Sequence, residues 1–364
     1  MVNHPHLNLE IHMQFKRRAT AAIAVIAAAP AVFPLVAAAQ TNVTIYGVLD
    51  AALSKEDTGA PNGKRTLQLN SGNQSSSRFG FRGSEDLGGG LKAIFNLEAG
   101  YALDTGVGDS ALFGRRSVVG LESQYGTLTI GREYSPIAAI AAASDPLGQG
   151  FYGSNLSAFG STGRLTRRLS NSVNYKSNAY SGFSVLAAYS AGEQASPAVP
   201  VTADSLNLRG IAGQYTNGGL YLGLGYHEYN RLQAGKDKET AFGAAYKFGD
   251  FEVKGGYLSA DPTGPNNKFE QFNIGGIYTM AANKFFVTFQ QNKLELGGAK
   301  GNAVALAYSY NLSKRTNVYA SYAKLDNNGA AAFGLNSSST NVTPPATALG
   351  SDPKALSLGI RHSF

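Results

Sequence analysis

The stretch NAVALAYSYNL, residues 302–312, alternates between two kinds of side chain along its whole length. Large apolar and aromatic residues occupy one parity, which comprises Val304, Leu306, Tyr308, Tyr310 and Leu312. Small or polar residues occupy the other, which comprises Ala303, Ala305, Ala307, Ser309 and Asn311. This period of two predicts a strand with two unlike faces. The stretch is longer than the ~5–6 residues of most soluble strands and fits the ~9–11 residues of a tilted transmembrane strand.

The same alternation recurs in LKAIFNLEAGYAL (91–103) and KFFVTFQQN (284–292). A soluble sandwich would show this period with its apolar face inward, but its strands would be shorter. No segment after residue 39 reaches the ~18 apolar residues of a helical membrane span. An exported chain of this kind is either a soluble β-solenoid or a transmembrane barrel. The strand lengths favour the barrel, with its apolar face toward lipid and its small or polar face toward a wet lumen.

The connections between strands alternate in length. Seven short turns lie near 85–91, 124–128, 178–183, 215–220, 248–251, 280–285 and 312–317. Eight longer polar stretches lie near 56–74, 104–111, 134–169, 192–205, 231–238, 260–267, 296–301 and 327–353. Fifteen connections join sixteen strands, as an antiparallel outer-membrane barrel requires. Both termini then lie with the short turns on the periplasmic side. We expect loop tips near 200, 263 and 340 to be exposed on cells, and turns near 88 and 217 to be hidden.

The first 39 residues have the pattern of a signal peptide. Lys16, Arg17 and Arg18 precede an apolar run that ends at the small residues Ala37–Ala39. The run is short and broken by prolines, which disfavours a retained anchor helix. The residues before Met13 fit no part of a signal, so we expect translation to begin at Met13. Residues 40–364 are expected to form one barrel domain with 28 basic and 23 acidic residues, a net charge of +5.

The chain ends in KALSLGIRHSF, residues 354–364, and Phe364 belongs to the apolar parity of this run. Closing a barrel requires the last strand to pair with the first, NVTIYGVLDAAL (42–53), so that no edge remains in lipid. Phe364 would then lie at the periplasmic interface. Other aromatic residues near strand ends predict an interfacial girdle. They are Tyr46, Tyr125, Tyr175, Tyr215, Tyr221, Phe248, Phe251 and Phe285.

Six segments spread over the whole of residues 40–364 resemble a known family: VTIYGVLDAAL (43–53), SRFGFRGSEDLGGGLKAIFNLEAGY (77–101), FGRRSVVGLESQYGTLTIGREYSP (113–136), NSVNYKSNAYSGFSV (171–185), YNLSKRTNVYASYA (310–323) and LGIRHSF (358–364). The chain resembles the trimeric general-diffusion porins of the beta-proteobacterial outer membrane. The resemblance implies an all-β, sixteen-stranded barrel that assembles as a homotrimer, with its third loop folded into the pore. It also implies that the terminal aromatic residue, Phe364, is an assembly signal for the barrel-insertion machinery.

Charged residues are the candidates for lining the pore. Arg78 and Arg82 share a parity opposite Phe79 and Phe81, which predicts that they face the lumen, since charge facing lipid costs ~2–4 kcal/mol. The third loop has only one acid, Asp145, and ends in the bases Arg164, Arg167 and Arg168, for which a solvated rim is an equal alternative. The predicted set is Arg78, Arg82, Lys92, Glu98, Arg115, Arg116, Arg132, Glu133 and Asp145. A β-bulge could reverse the face of Arg115, Arg116 or Arg132.

These charges predict a passive channel with weak to moderate anion preference. A substrate-specific channel is the alternative, and it would need an aromatic slide or a dedicated site in the lumen. A barrel enzyme is disfavoured because only His227 and His362 remain after residue 39, neither beside a credible serine or aspartate. Without cysteine or a metal-ligand cluster, no cofactor or metal is expected. Expected partners are outer-membrane lipids, lipopolysaccharide, small hydrophilic solutes and anions; dispersed basic residues argue against nucleic acid.

Overall fold

A computed structural model describes residues 42–65, 67–159, 165–193, 206–230, 235–265 and 268–364. The predicted signal peptide, 1–39, lies outside these residues, as do Arg164 and the loop tip near 200. Within the described ranges, no helix combines the length and apolar composition needed to cross a membrane.

Sixteen antiparallel strands close into a single barrel. The second barrel strand consists of two segments, Gln68–Ser71 and Arg78–Gly88, separated by the irregular stretch 72–77. Both segments are counted as one strand because both pair with the first strand. The strands are β1 (Asn42–Asp57), β2 (Gln68–Ser71 with Arg78–Gly88), β3 (Leu91–Gly100), β4 (Arg116–Ser123), β5 (Gly126–Tyr134), β6 (Arg168–Ser177), β7 (Phe183–Ser190), β8 (Leu208–Asn217), β9 (Leu220–Asn230), β10 (Lys236–Phe248), β11 (Phe251–Asp261), β12 (Phe269–Met280), β13 (Asn283–Leu294), β14 (Ala299–Asn311), β15 (Thr316–Asn327) and β16 (Lys354–Ser363).

The first and last strands close the barrel as predicted. β1 pairs with β16 from Val48 opposite Ser363 to Asp57 opposite Lys354. Phe364 extends this pairing, since its N–H donates to the Gly47 carbonyl and its carbonyl accepts the Gly47 N–H, each bond being 3.1 Å long. The Phe364 ring covers the outer side of Gly47, where a β-carbon would collide with it. The terminal residue is therefore part of the closing seam.

The two faces of each strand differ as the alternation predicts. In β14, Val304 and Leu306 are 50% and 52% exposed on the outside, while Ala303 and Ala305 are buried inside. The outer face also has a row of aromatic rings beside the short turns of β10–β14, with centroids 4.6–6.2 Å apart. This row comprises Tyr246, Phe248, Phe251, Tyr278, Phe285 and Tyr308. Two of the predicted girdle residues, Tyr46 and Tyr221, instead face inward, because they have the parity of buried residues on their strands.

The third loop, described over residues 135–159 and 165–167, folds into the barrel. Its helix α1 (Pro136–Ser144) begins after Ser135, whose Oγ accepts the N–H of Ala138 at 3.3 Å. α1 packs against the inner face of β8–β11. Glycines there make the close approach possible: a β-carbon on Gly243 would come within 2.7 Å of Ser144 Cβ.

The rest of the third loop docks on a second strip of small residues. Phe151 and Tyr152 are buried in one cluster with Ala305 and Ala323 of β14 and β15. A short 3₁₀ helix, Asn155–Phe159, follows. The Tyr152 hydroxyl donates to Glu56 Oε1 of β1 at 2.9 Å. The small residues on the inner face of 302–312 therefore make room for the third loop, which packs against them.

The eighth loop, residues 328–353, also turns inward. Ser339 and Asn341 remain solvent-exposed, so the exposure of a tag near 340 on cells stays a prediction. Its hairpin, Leu335–Asn336 with Asn341–Val342, lies against the third loop and the break in β2. Gly153 N–H donates to the Asn336 carbonyl at 3.1 Å, and Thr340 Oγ1 donates to the Ser71 carbonyl at 3.1 Å. Polar serine and threonine side chains look like a surface loop in sequence, but here they satisfy buried backbone groups.

The orientation of the barrel predicts which side can be labelled. The natural chain has no cysteine, so single-cysteine variants give an unambiguous signal. Pro265 in the sixth loop and Leu87 beside the first short turn are both exposed. In intact cells, Pro265→Cys should react with a maleimide attached to a polymer too large for the pore, and Leu87→Cys should react only after lysis. Labelling of Leu87→Cys in intact cells would reverse the orientation.

Candidate functional site

The inner face of β1–β3 supplies the first part of the candidate site. Alternation places Tyr46, Arg78, Arg82 and Glu98 on this face. The Arg82 guanidinium lies over the Tyr46 ring, 5.1 Å from its centroid. The Tyr46 hydroxyl donates to Glu98 Oε2 at 3.0 Å. The tyrosine thus orients a cation on its ring and an anion on its hydroxyl.

Glu98 is shared between two arginines. Arg115 Nε donates to Glu98 Oε1 at 2.7 Å, and Arg78 Nε lies 3.5 Å from Glu98 Oε2. Arg78 Nη1 also donates to the Ser76 carbonyl at 3.0 Å. One carboxylate holds both guanidinium groups in place but neutralises only one of them.

A second ion pair joins β4 and β5, where Arg116 Nε donates to Glu133 Oε2 at 2.8 Å. The neighbouring Tyr134 Oη accepts bonds from Arg115 Nη2 at 3.3 Å and Arg168 Nη2 at 3.0 Å. The Arg167 guanidinium lies 5.7 Å from the Tyr134 ring centroid. Tyr134 therefore joins wall arginines to those at the end of the third loop.

These groups surround a cavity of about 420 Å³ between the barrel wall and the third loop. Its lining comprises Tyr46, Gln74, Ser75, Arg78, Arg82, Asn96, Glu98, Arg115, Arg116, Tyr134, Gly148, Gln149, Arg167 and Ser338. Five are arginines and one is a carboxylate. Counting Glu133 with its partner Arg116, three arginine charges are not balanced by the carboxylates in this described set. The potential in the cavity is therefore positive.

A second cavity of about 450 Å³ adjoins the first and shares Arg116 and Tyr134 with it. Its lining includes Glu122 of β4, and Pro136 and Ala139 of α1. The two cavities together follow the gap between the third loop and one side of the barrel.

Arg167 remains charged although it is largely buried. Burial and the neighbouring Arg168 lower the pKa of Arg167 to about 10, which still leaves the guanidinium protonated at neutral pH. Its Nη2 donates to Gln149 Oε1 at 2.9 Å. Arg167 comes from the basic end of the third loop and lines the first cavity, so it is not a rim charge.

Two residues of the predicted pore-lining set lie elsewhere on the wall. Lys92 is near the short-turn end of β3, where its Nζ lies 3.4 Å from Glu122 Oε1. Arg132 shares the parity of the outward-facing Ile130 and donates to Ser170 Oγ at 2.6 Å. A bulge between Gly131 and Glu133 shifts the pairing with β6. The parity of Arg132 on β5, rather than this bulge, directs it away from the cavity.

Asp145, the third predicted residue outside the cavity, is buried at the end of α1. Its carboxylate accepts the N–H groups of Leu147 at 3.3 Å and Gln149 at 2.7 Å. Burial raises the pKa of Asp145 to about 6, and these backbone bonds partly oppose that shift. Its role in the structure is to cap a turn, and it presents no carboxylate to the cavity.

Comparison with known proteins identifies the family. Residues 19–330 match the family model described as Gram-negative porin. The chain is a Gram-negative outer-membrane porin. It is 33% identical to an outer membrane porin protein of Bordetella pertussis, with 79% of this chain and 90% of that protein covered. It is 29% identical to outer membrane porin protein 32 of Delftia acidovorans, with 96% and 100% covered.

Solved porin structures share the fold. An anion-selective porin from Comamonas acidovorans superimposes with a TM-score of 0.80 at 25% identity, covering 89% of this chain and all of that one. The trimer form of OmpT from Vibrio cholerae gives a TM-score of 0.64 at 19% identity, covering 89% and 99%. The porin described here therefore has the sixteen-stranded architecture that its sequence predicts.

Several residues that line the first cavity are not predicted from the sequence. Tyr46 is expected in the outer girdle, and Tyr134 and Gln149 are not among the predicted pore-lining residues. Strand parity could have placed Tyr46 inside, because it matches that of Asp50 and Ser54. The fold of the third and eighth loops, which positions Gln149 and Ser338, has no such periodic signal.

Proposed function

We propose that this porin is a general-diffusion channel with weak anion preference, and that the passage runs between the third loop and the wall of β1–β7. The observation that supports this is the excess of arginine over carboxylate around the first cavity. Fixed positive charge in a narrow aqueous passage raises the local concentration of anions and lowers that of cations. The anion selectivity named for the Comamonas relative agrees with this assignment.

The candidate constriction residues are those that the cavity brings together. They are Arg78, Arg82, Glu98, Arg115, Arg116 and Arg167, with Glu133 paired to Arg116. Lys92, Arg132 and Asp145 are left out of this set. Small hydrophilic solutes and anions are the proposed cargo, since the aromatics that line the first cavity, Tyr46 and Tyr134, are bonded to charged groups and form no apolar slide there.

Assembly follows the pattern of porins in this proposal. Segment 1–39 directs export, and Phe364 is the signal read by the barrel-insertion machinery. The mature barrel forms a homotrimer embedded among phospholipid and lipopolysaccharide. The trimer form of OmpT supports the homotrimer. The position of Phe364 at the β1–β16 seam supports an interaction with the insertion machinery before the barrel closes.

Single-channel conductance in a planar bilayer tests the channel type. A general-diffusion pore should give large steps that rise almost linearly with KCl concentration, and added sugars or organic acids should not saturate them. Saturation by one solute at low concentration would favour the substrate-specific channel. Small or absent steps from correctly folded protein would contradict a diffusion channel altogether.

A further inference from the structure

A buried histidine and glutamate lie on adjacent strands, β9 and β10, outside the arginine-lined cavity. His227 of β9 is fully buried, and Glu239 directly faces it across the β9–β10 pairing. His227 Nδ1 is 2.9 Å from Glu239 Oε2. Neither residue lines the two cavities of the passage. A buried polar pair of this kind needs a structural or functional reason, because burying these groups is costly unless both are bonded.

Both ends of the third loop attach to this pair. At the start of α1, the N–H of Ile137 donates to His227 Nε2 at 3.3 Å. Near the end of the loop, Thr166 Oγ1 donates to Glu239 Oε1 at 2.8 Å, and its N–H lies 3.1 Å from both carboxylate oxygens. Ser135 Oγ also donates to the Thr166 carbonyl at 2.6 Å. The base of the third loop is thus fastened to the wall through two side chains.

The bonds determine the tautomer of His227. A backbone N–H can only donate, so Nε2 must be the acceptor and Nδ1 must hold the proton that goes to Glu239. A second proton can add only at Nε2. It would leave two N–H groups facing each other and place a positive charge at the positive end of the α1 dipole. Neutral His227 accepts the loop, whereas protonated His227 repels it.

We propose that His227 and Glu239 form a protonation-dependent latch that positions the third loop in the passage. The proposal rests on the passage proposed above. The latch holds the base of the third loop outside the arginine-lined cavity, and a released loop that moves into the passage narrows it. Acidification should therefore add closing events. Histidine is the side chain suited to such a response between about pH 5 and 8.

The groups around the ring are few among the described residues. Glu239 faces it from β10 and the Ile137 N–H from α1. β8 presents Gly210, on which a β-carbon would come within 2.6 Å of the ring. Tyr229 lies two residues along on the same face of β9. The neighbouring cation, Arg167, is directed toward Gln149 and Tyr134.

Single-channel recording from neutral pH to about pH 5 tests the latch. The natural trimer should show steady steps at neutral pH and an increasing closed fraction on acidification. His227→Gln keeps an acceptor for Ile137 and a donor for Glu239 but does not titrate, so its closed fraction should rise much less on acidification than that of the natural protein. Asp145 remains as a titrating group of the loop in both proteins. Equal pH profiles for the natural protein and His227→Gln, or a flat natural profile, would overturn the latch.

Glu239→Gln provides an independent arm if His227→Gln fails to assemble. It keeps one acceptor oxygen for Thr166 but removes the carboxylate charge that faces His227 Nδ1. The pH dependence of closure should therefore differ from that of the natural protein. An unchanged pH dependence would show that the pair is only structural. Failure of the channel proposal is separate, since it would already appear as missing conductance steps at neutral pH.

Discussion

Replacing both Arg78 and Arg82 with alanine should shift the zero-current potential in a KCl gradient toward cation preference. Two unit charges roughly 6 Å from the ion path change the electrostatic free energy of a passing monovalent ion by about 0.8 kcal/mol in total, at about 0.1 M salt in a water-like medium. The potential acts with opposite sign on the two ions, so the chloride-to-potassium permeability ratio should fall roughly tenfold. At about 1 M salt the same change should be roughly twofold, because screening is stronger.

Lys92→Ala is the matched control for this variant, since it removes a cation from the same inner face outside the first cavity. Its zero-current potential should stay near that of the natural protein. Arg78→Lys with Arg82→Lys should also keep most of the anion preference, because the charge remains. If the double alanine variant and Lys92→Ala behave alike, Arg78 and Arg82 do not line the constriction.

Deleting Phe364 should lower the amount of folded, heat-modifiable trimer in the outer membrane severalfold, while precursor synthesis stays unchanged. The reason is that the proposed insertion signal is lost, together with two backbone bonds to Gly47. Quantitative gels of unheated and heated membranes measure the effect. Phe364→Tyr keeps an aromatic ring and a backbone amide, so it should assemble nearly as well as the natural chain.

Refolding of the purified chain separates the two roles of Phe364. The closing register between β1 and β16 extends over ten residue pairs without it, so the truncated chain should still fold in detergent. Loss of folding in detergent as well as in cells would mean that Phe364 acts through the seam alone. A normal yield of trimer in cells would refute both roles.

The barrel itself could be predicted because its signals are periodic and local. A period of two, maintained over ten or more residues, gives the strand faces, and the alternation of short turns with long loops gives the topology. The closure of β1 on β16 follows because lipid tolerates no free strand edge. Parity alone places Arg78 and Arg82 inside, and the structure has both side chains on the inner face.

The arrangement inside the barrel could not be derived in the same way. Asp145 and Arg167 both lie in the third loop, yet one is buried under a turn and the other faces the cavity. Their positions depend on which small wall residues receive the loop, and this is long-range packing. Arg132 shares the outward parity of Ile130 on β5 and lines neither of the two described cavities, so it stays a prediction without support from the cavity. The inward fold of the eighth loop depends on hydroxyl bonds to the break in β2, which no sequence period reveals.

The sign of the zero-current potential of the natural protein is the most direct test of an arginine-controlled diffusion pore. A bilayer that contains the protein separates concentrated from dilute KCl at neutral pH, and the potential that stops the current is recorded. Net chloride preference makes the dilute side negative, and the value should shrink as both salt concentrations are raised at a fixed ratio. A positive dilute side would mean that the pore prefers cations, and it would contradict the assignment of the arginines to the constriction.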